Sequence, residues 1–153
     1  MSQSLIDRQK KITVILLLLF LTACAPLIGP YSPTAYQNAT SLKPQTLALM
    51  DKAKEAYAKH QTEVEVLVVE LKKAHEYVKG VPSNSISARQ WEILIKEDGD
   101  LFGKFVKRWK ERSTLSSAFI TEFKGLVSDA FDEIICLEAN KKEASKCGST
   151  KGE

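Results

Sequence analysis

Catalysis needs groups that exchange protons, attack an electrophile or hold a metal, and this chain spaces few of them usefully. It carries two histidines and three cysteines in 153 residues. His60 and His75 stand about four turns apart on one helical pattern, so a single helix cannot bring them to one site. Neither belongs to a His-Glu-x-x-His run, and a metal at either would need carboxylates from other helices. His60 reads instead as packing in the manner of an aromatic ring, or as a partly exposed side chain. Beyond Cys24 there is no Gly-x-Ser-x-Gly or Ser-x-x-Lys nucleophile motif and no glycine-rich phosphate loop. Carboxylates come in groups such as Glu97, Asp98 and Asp100, or Asp129, Asp132 and Glu133, interleaved with lysines as on a solvated helix face. The expectation is a protein that is not an enzyme, with no catalytic residues, no metal and no cofactor.

The first cysteine has a different context. A basic start (Arg8, Lys10, Lys11) precedes an apolar run from Ile12 to Leu21, and the small residues Thr22 and Ala23 lead to Cys24. Charge, a short apolar core and a small-residue cleavage site make a secretory signal. The run is about ten residues, against the roughly 20 that a spanning helix needs. Leu21-Thr22-Ala23-Cys24 resembles the bacterial lipobox, in which a leucine and two small residues precede the cysteine that becomes lipidated. The resemblance covers only residues 1–24. It implies cleavage of residues 1–23 and palmitate-type acyl chains on Cys24, and two or more such chains hold a protein stably on a membrane. Ala25 follows, with no aspartate to suggest inner-membrane retention. In a Gram-negative host the resemblance therefore implies an outer-membrane lipoprotein facing the periplasm.

Charge narrows the partners. Of 22 basic and 19 acidic residues, Arg8, Lys10, Lys11 and Asp7 lie in the signal, and the remainder is nearly neutral. A near-neutral domain without a basic stripe is a poor nucleic-acid binder. Cys136 and Cys147 fall in a compartment where disulfides form. On an unbroken helix eleven residues span roughly 16 Å, and a disulfide needs Cα atoms within about 7 Å. Pairing them requires the helix to end, with Asn140 as a place for a left-handed turn; the other readings are free thiols or a bond to a second chain.

The elements that must position these groups read as helical throughout. Residues 24–40 carry Pro26, Pro30 and Pro33 with Tyr31 and Tyr36 between, and read as an extended tether. Fully extended, that tether reaches roughly 50 Å. Ser41 is a good N-cap with Pro44 in the first turn. From Met50 the seam Ala53, Tyr57, His60, Val64, Leu67, Leu71, Ala74, Val78 steps by three and four, which predicts a long coiled-coil-like helix ending at Gly80-Val81-Pro82. Val66, Val68 and Val69 widen its apolar face, as burial against two neighbours would require. Ser87 and Gln90 form a capping box for a second helix whose arc holds Trp91, Ile95, Phe102, Phe105, Val106 and Trp109. A third starts at Ser113 or Ser116 and buries Leu115, Phe119, Phe123, Leu126, Val127, Ala130, Ile134 and Leu137. The reading is an all-α, antiparallel three-helix bundle over residues 41–140, followed by a polar tail over 141–153.

Asp98 falls inside the second arc, and a carboxylate there is costly unless paired or solvated. Three readings follow: a break at Asp98-Gly99 that turns it outward, a pairing with His60 or a lysine, or a contact for a ligand or partner. Trp91 and Trp109 are core residues or contact residues on the same logic. The functional expectation is a membrane-anchored interaction or adaptor module, whose partner is an envelope protein or a second copy through helix one. The alternatives are a structural spacer and a binder of a small apolar ligand between the helices.

Overall fold

The computed structural model describes residues 29–141 and Cys147. The signal, the lipobox and Cys24 lie outside them, as do residues 142–146 and 148–153. Among the described residues every regular element is helical, so the protein is all-α. The described residues form five α-helices where three were expected: α1 Pro33–Asp51, α2 Tyr57–Gly80, α3 Ser85–Ile95, α4 Phe102–Arg112 and α5 Ser117–Ala139, with a short 3-10 turn over Lys52–Lys54.

From Pro33 on, the expected tether is helix and part of the domain. Ser32 caps α1 by accepting from the Ala35 amide at 3.3 Å, and Pro33 occupies the first helical turn, where its missing N–H costs nothing. Ala35 and Ala39 are fully buried. Pro44 therefore lies in the helix interior, not at its start; it is on the exposed face, where water can serve the carbonyl that its ring leaves without a donor.

The expected long first helix is two antiparallel ones. Lys52 bonds Glu63 at 2.6 Å at one end of the α1–α2 hairpin, and Ser32 bonds Tyr77 at 2.9 Å at the other. The break at residues 52–56 falls among good helix formers, so local propensity does not cause it. Distant groups do. The Leu115 amide donates to Ala53 O and the Tyr57 amide to Ser113 O, both at 2.8 Å, while Trp109 Nε1 donates to Glu55 O at 3.0 Å. These bonds satisfy backbone groups that an unbroken helix would have paired internally.

The second expected helix is broken as well, into α3 and α4. The chain leaves helical geometry at Lys96 and turns back through Gly99 N–H, which donates to Lys96 O at 3.0 Å. Gly103 then presses on the same backbone: a Cβ there would meet Lys96 O at 2.3 Å and Ile95 O at 2.6 Å. The small residue serves a tight approach within one leg, not a crossing of two long helices. Ser87 does not cap α3, which starts two residues earlier after Asn84 and has no side-chain cap. Ser116 caps α5 as expected, through the Phe119 amide at 3.3 Å.

Together α1, α2, the broken leg α3–α4, and α5 close into a ring of four neighbouring legs. Lys43–Asp132 and Lys124–Asp51 ion pairs, each 2.6 Å, run α5 antiparallel to α1. The core at the centre holds Met50, Leu71, Val78, Trp91, Phe105, Trp109, Val127, Phe131 and Ile134, each almost wholly buried. Trp91 meets Phe131 edge-on at 5.9 Å, and Trp109 meets Tyr57 edge-on at 5.5 Å; such pairs are favourable beyond their burial.

Candidate interaction surface

Apart from Cys24, the residues expected to make contacts do not converge. Trp91 and Trp109 are fully buried, so neither offers a surface. Asp98 sits in the α3–α4 break with 73% of its side chain exposed, 3.6 Å from Lys96. The helix ends before it and turns it outward, which removes the cost of a buried carboxylate. His60 lies against Trp109 at 5.8 Å, with Nε2 3.4 Å from Glu55 and Nδ1 3.8 Å from Glu63. Its role is packing beside an indole. Among the described residues no cluster of His, Cys, Asp and Glu is arranged to hold a metal.

What does converge is apolar. Val66 and Val69, expected to be buried against two neighbours, stand 58% and 49% exposed on α2. The hydrophobic seam faces inward one side over, and these valines form a ridge between two grooves. One groove, between α1 and α2, is lined by Ala48, Leu49, Val66 and Leu67. The larger lies between α2 and α4, a cleft of about 590 Å³ with Val64, Val68, Val69, Ile95, Phe102 and Val106 on its walls. It lies beside the break where α3 ends at Ile95 and α4 restarts at Phe102, both of which line it. Lys72, Lys107 and Lys110 alternate with Glu65, Glu97 and Glu111 around its rim. Tyr57 closes one end; burial pushes its hydroxyl above its ordinary 10.0, and Glu65 adds to the rise. The cleft therefore presents an apolar wall and a charge-balanced rim. Of the aromatic residues in the second arc, Trp91, Phe105 and Trp109 are fully buried and only Phe102 lines the cleft, whose walls do not include Asp98.

A second polar feature escaped the sequence reading. Glu138 is fully buried, and the Lys141 side chain is 4% exposed. The ammonium lies 2.9 Å from Glu138 Oε2 but is aimed at Asn84 Oδ1 (2.6 Å) and Ser87 Oγ (3.1 Å). Among the described residues neither carboxylate oxygen receives a directed hydrogen bond. Ser87, read as a cap, is thus an acceptor for a buried lysine. The signal was present in the third arc: continuing by four from Ile134 lands on Glu138. Nearby, Cys136 and Cys147 are joined by a disulfide with Cα atoms 5.7 Å apart. The helix ends after Ala139, and Asn140 has φ −113, so the turn does not use the left-handed conformation expected for it. Lys141, the first residue of the expected polar tail, belongs to the folded domain.

Compared with known protein families, with characterised proteins and with solved structures, the chain matches none of them.

Proposed function

We propose that this protein is a lipid-anchored interaction module of the bacterial envelope, held through Cys24 on the outer membrane and facing the periplasm. It engages an envelope protein through the α2 valine ridge and the adjoining α2–α4 cleft, without catalysis. The observation that carries the reading is the exposure of Val66 and Val69 beside an apolar cleft. Contiguous exposed apolar surface on a small domain marks an interaction site. The lipobox supports the anchor. The balanced rim of the cleft suits a partner segment that is itself apolar with mixed charge.

Crosslinking and affinity recovery from native membranes tests this directly, with the wild-type chain beside a Val66→Asp/Val69→Asp variant. Recovery of one envelope protein with the wild type and its loss with the variant supports the reading. Equal recovery with both removes the ridge from the proposal. If only the chain itself is recovered, the partner is a second copy. A small amphiphilic molecule in the same cleft is the second reading, favoured by a volume within the range of about 300–1,000 Å³ that ligand pockets occupy.

A further inference from the structure

The domain has two distinct ends, and the chain arriving from Cys24 joins only one of them. Gly29 is buried against the α2–α3 loop, so close that a Cβ would lie 2.6 Å from Pro82 O and 3.0 Å from Val81 Cγ1. Three residues on, Ser32 bonds the Tyr77 hydroxyl near the last turn of α2. The same end receives the C-terminus of α5, where Lys141 bonds Asn84 and Ser87. The opposite end holds the 52–56 break and the Ser113–Ser116 loop.

Five peptide steps separate Cys24 from Gly29. They can span at most roughly 18 Å, whereas the 24 residues of α2 run about 36 Å. The roughly 50 Å tether read from the prolines does not exist, because its second half is helix. Surface chemistry matches this constraint. Among the described residues the exposed large apolar side chains are Tyr31, Val66, Val69, Tyr77, Ile93 and Leu126. Both aromatic ones, Tyr31 and Tyr77, stand at the end that Gly29 joins, with Pro82 exposed beside them. Tyrosine is the residue type suited to the headgroup region, apolar in body and polar at the tip. Among the described residues Lys79 and Arg89 at this end are paired with Glu76 and Glu92, so neither supplies an unbalanced positive charge to draw it to anionic lipid.

From these observations we infer that the end formed by Tyr31, Tyr77 and the Val81–Asn84 loop docks on the bilayer surface that holds Cys24. The contact is made by tyrosines in the headgroup layer and not by charge. This rests on the anchor reading of Cys24 and adds an orientation to it. The bundle stands on its lipid end, and Val66, fourteen residues before Gly80, is lifted about 20 Å above the docked end.

The test uses the full chain expressed in a bacterial host, extracted from membranes and reconstituted into phosphatidylethanolamine–phosphatidylglycerol vesicles, with and without brominated acyl chains. Two variants carry an added tryptophan, Tyr31→Trp at the docked end and Thr114→Trp at the far end, where Thr114 is exposed. Trp91 and Trp109 are buried and supply a constant background in both. Brominated lipid should remove the emission that Tyr31→Trp adds and leave that of Thr114→Trp intact. Raising the salt should not restore it. Equal quenching at both positions, or at neither, on an acylated chain overturns the docked orientation alone. Recovery of quenching-sensitive emission at high salt overturns the tyrosine mechanism. Mass analysis of the same sample reads the acyl chains on Cys24, and a chain without them overturns the anchor and the orientation together.

Discussion

The Glu138–Lys141 pair gives the sharpest test of how this bundle is held together. Lys141→Met removes the ammonium but keeps the length of the side chain, leaving a fully buried carboxylate with no counter-charge among the described residues. Stranding one partner of a buried pair costs about 3–5 kcal/mol, and the bonds to Asn84 and Ser87 are lost with it. Both side chains are almost wholly shielded, so solvent screening does not reduce the figure. With a urea slope of about 1.5 kcal/mol per molar for a domain of this size, a loss of about 4 kcal/mol lowers the unfolding midpoint by roughly 2.7 M. Glu138→Leu/Lys141→Met removes both charges. It should recover most of that loss, since apolar replacement of a buried pair is often neutral or better; Asn84 and Ser87, left without their donor, hold it to within about 2 kcal/mol of wild type. The measurement is urea unfolding followed by far-ultraviolet circular dichroism on both variants and wild type. A Lys141→Met loss below about 1 kcal/mol, or a double variant no better than the single, would refute the claim that this lysine exists to neutralise Glu138.

Three further outcomes follow from the same structure. Gly103→Ala drives a methyl into Lys96 O and Ile95 O and should cost about 3 kcal/mol, the upper part of the overpacking range because backbone cannot yield like a side chain; an unchanged unfolding midpoint would sink the close-approach account. Cys136→Ser opens a loop of eleven residues and should lower stability by about 3 kcal/mol in the oxidised protein, with no difference from wild type once both are reduced. Acid should weaken the fold in a defined window. The Lys52 hydrogen bond holds Glu63 below its ordinary 4.5, and Lys104 holds Asp100 below 3.8. Their folded values lie below the unfolded ones, so the contribution is complete above pH about 4.5 and is lost as pH falls through the folded values. Lys52→Met/Lys104→Met should flatten the fall in melting temperature below that pH, and an unaltered slope would count against these pairs.

How much of this could be read from the chain depended on whether the cause was local. Helical periodicity found most buried positions, because inward residues repeat every three or four whatever the neighbours do. Met50, Ala53, Val64, Leu67, Leu71, Ala74 and Val78 are all buried as the seam requires. It could not reveal that the seam crosses a sharp turn, since the bonds that hold the 52–56 break come from Trp109, Ser113 and Leu115, more than fifty residues away. Leu126 shows the opposite failure: it lies in the apolar arc of α5 and yet is 41% exposed, because the neighbouring legs do not reach that flank. The prolines misled for a local reason. Pro26, Pro30 and Pro33 share one composition, but Pro33 follows a capping serine and starts a helix. Asp98 was readable as a problem, and the structure resolves it by ending the helix.

The two ends of the bundle are fastened by different means, and the α2–α4 face between them is not. At the end joined by Gly29, Ser32–Tyr77 ties α1 to α2 and Lys141–Asn84 ties the end of α5 to the start of α3, while the disulfide holds Cys147 to α5 itself. At the far end, the bonds from Tyr57, Leu115 and Trp109 tie α2 to the α4–α5 connection. Between them, no hydrogen bond or ion pair among the described residues joins α2 to the first two turns of α4. The helix starts without a side-chain cap at Leu101. Apolar packing holds that stretch, Phe102 at the cleft and Phe105 on Phe119 and Phe123 of α5, and a segment held so opens at lower free energy than one tied by buried polar bonds. The α2–α4 cleft is therefore where the fold can widen to admit a partner without loosening either end. Hydrogen exchange should show amides in the first two turns of α4 exchanging well before those in the middle of α5, and slowing when an envelope protein of the proposed kind binds. Equal protection in α4 and α5 in the free protein would mean that the cleft is rigid. Its partner would then have to fit the cleft as it stands, with an apolar ridge matched to Val64, Val68 and Phe102.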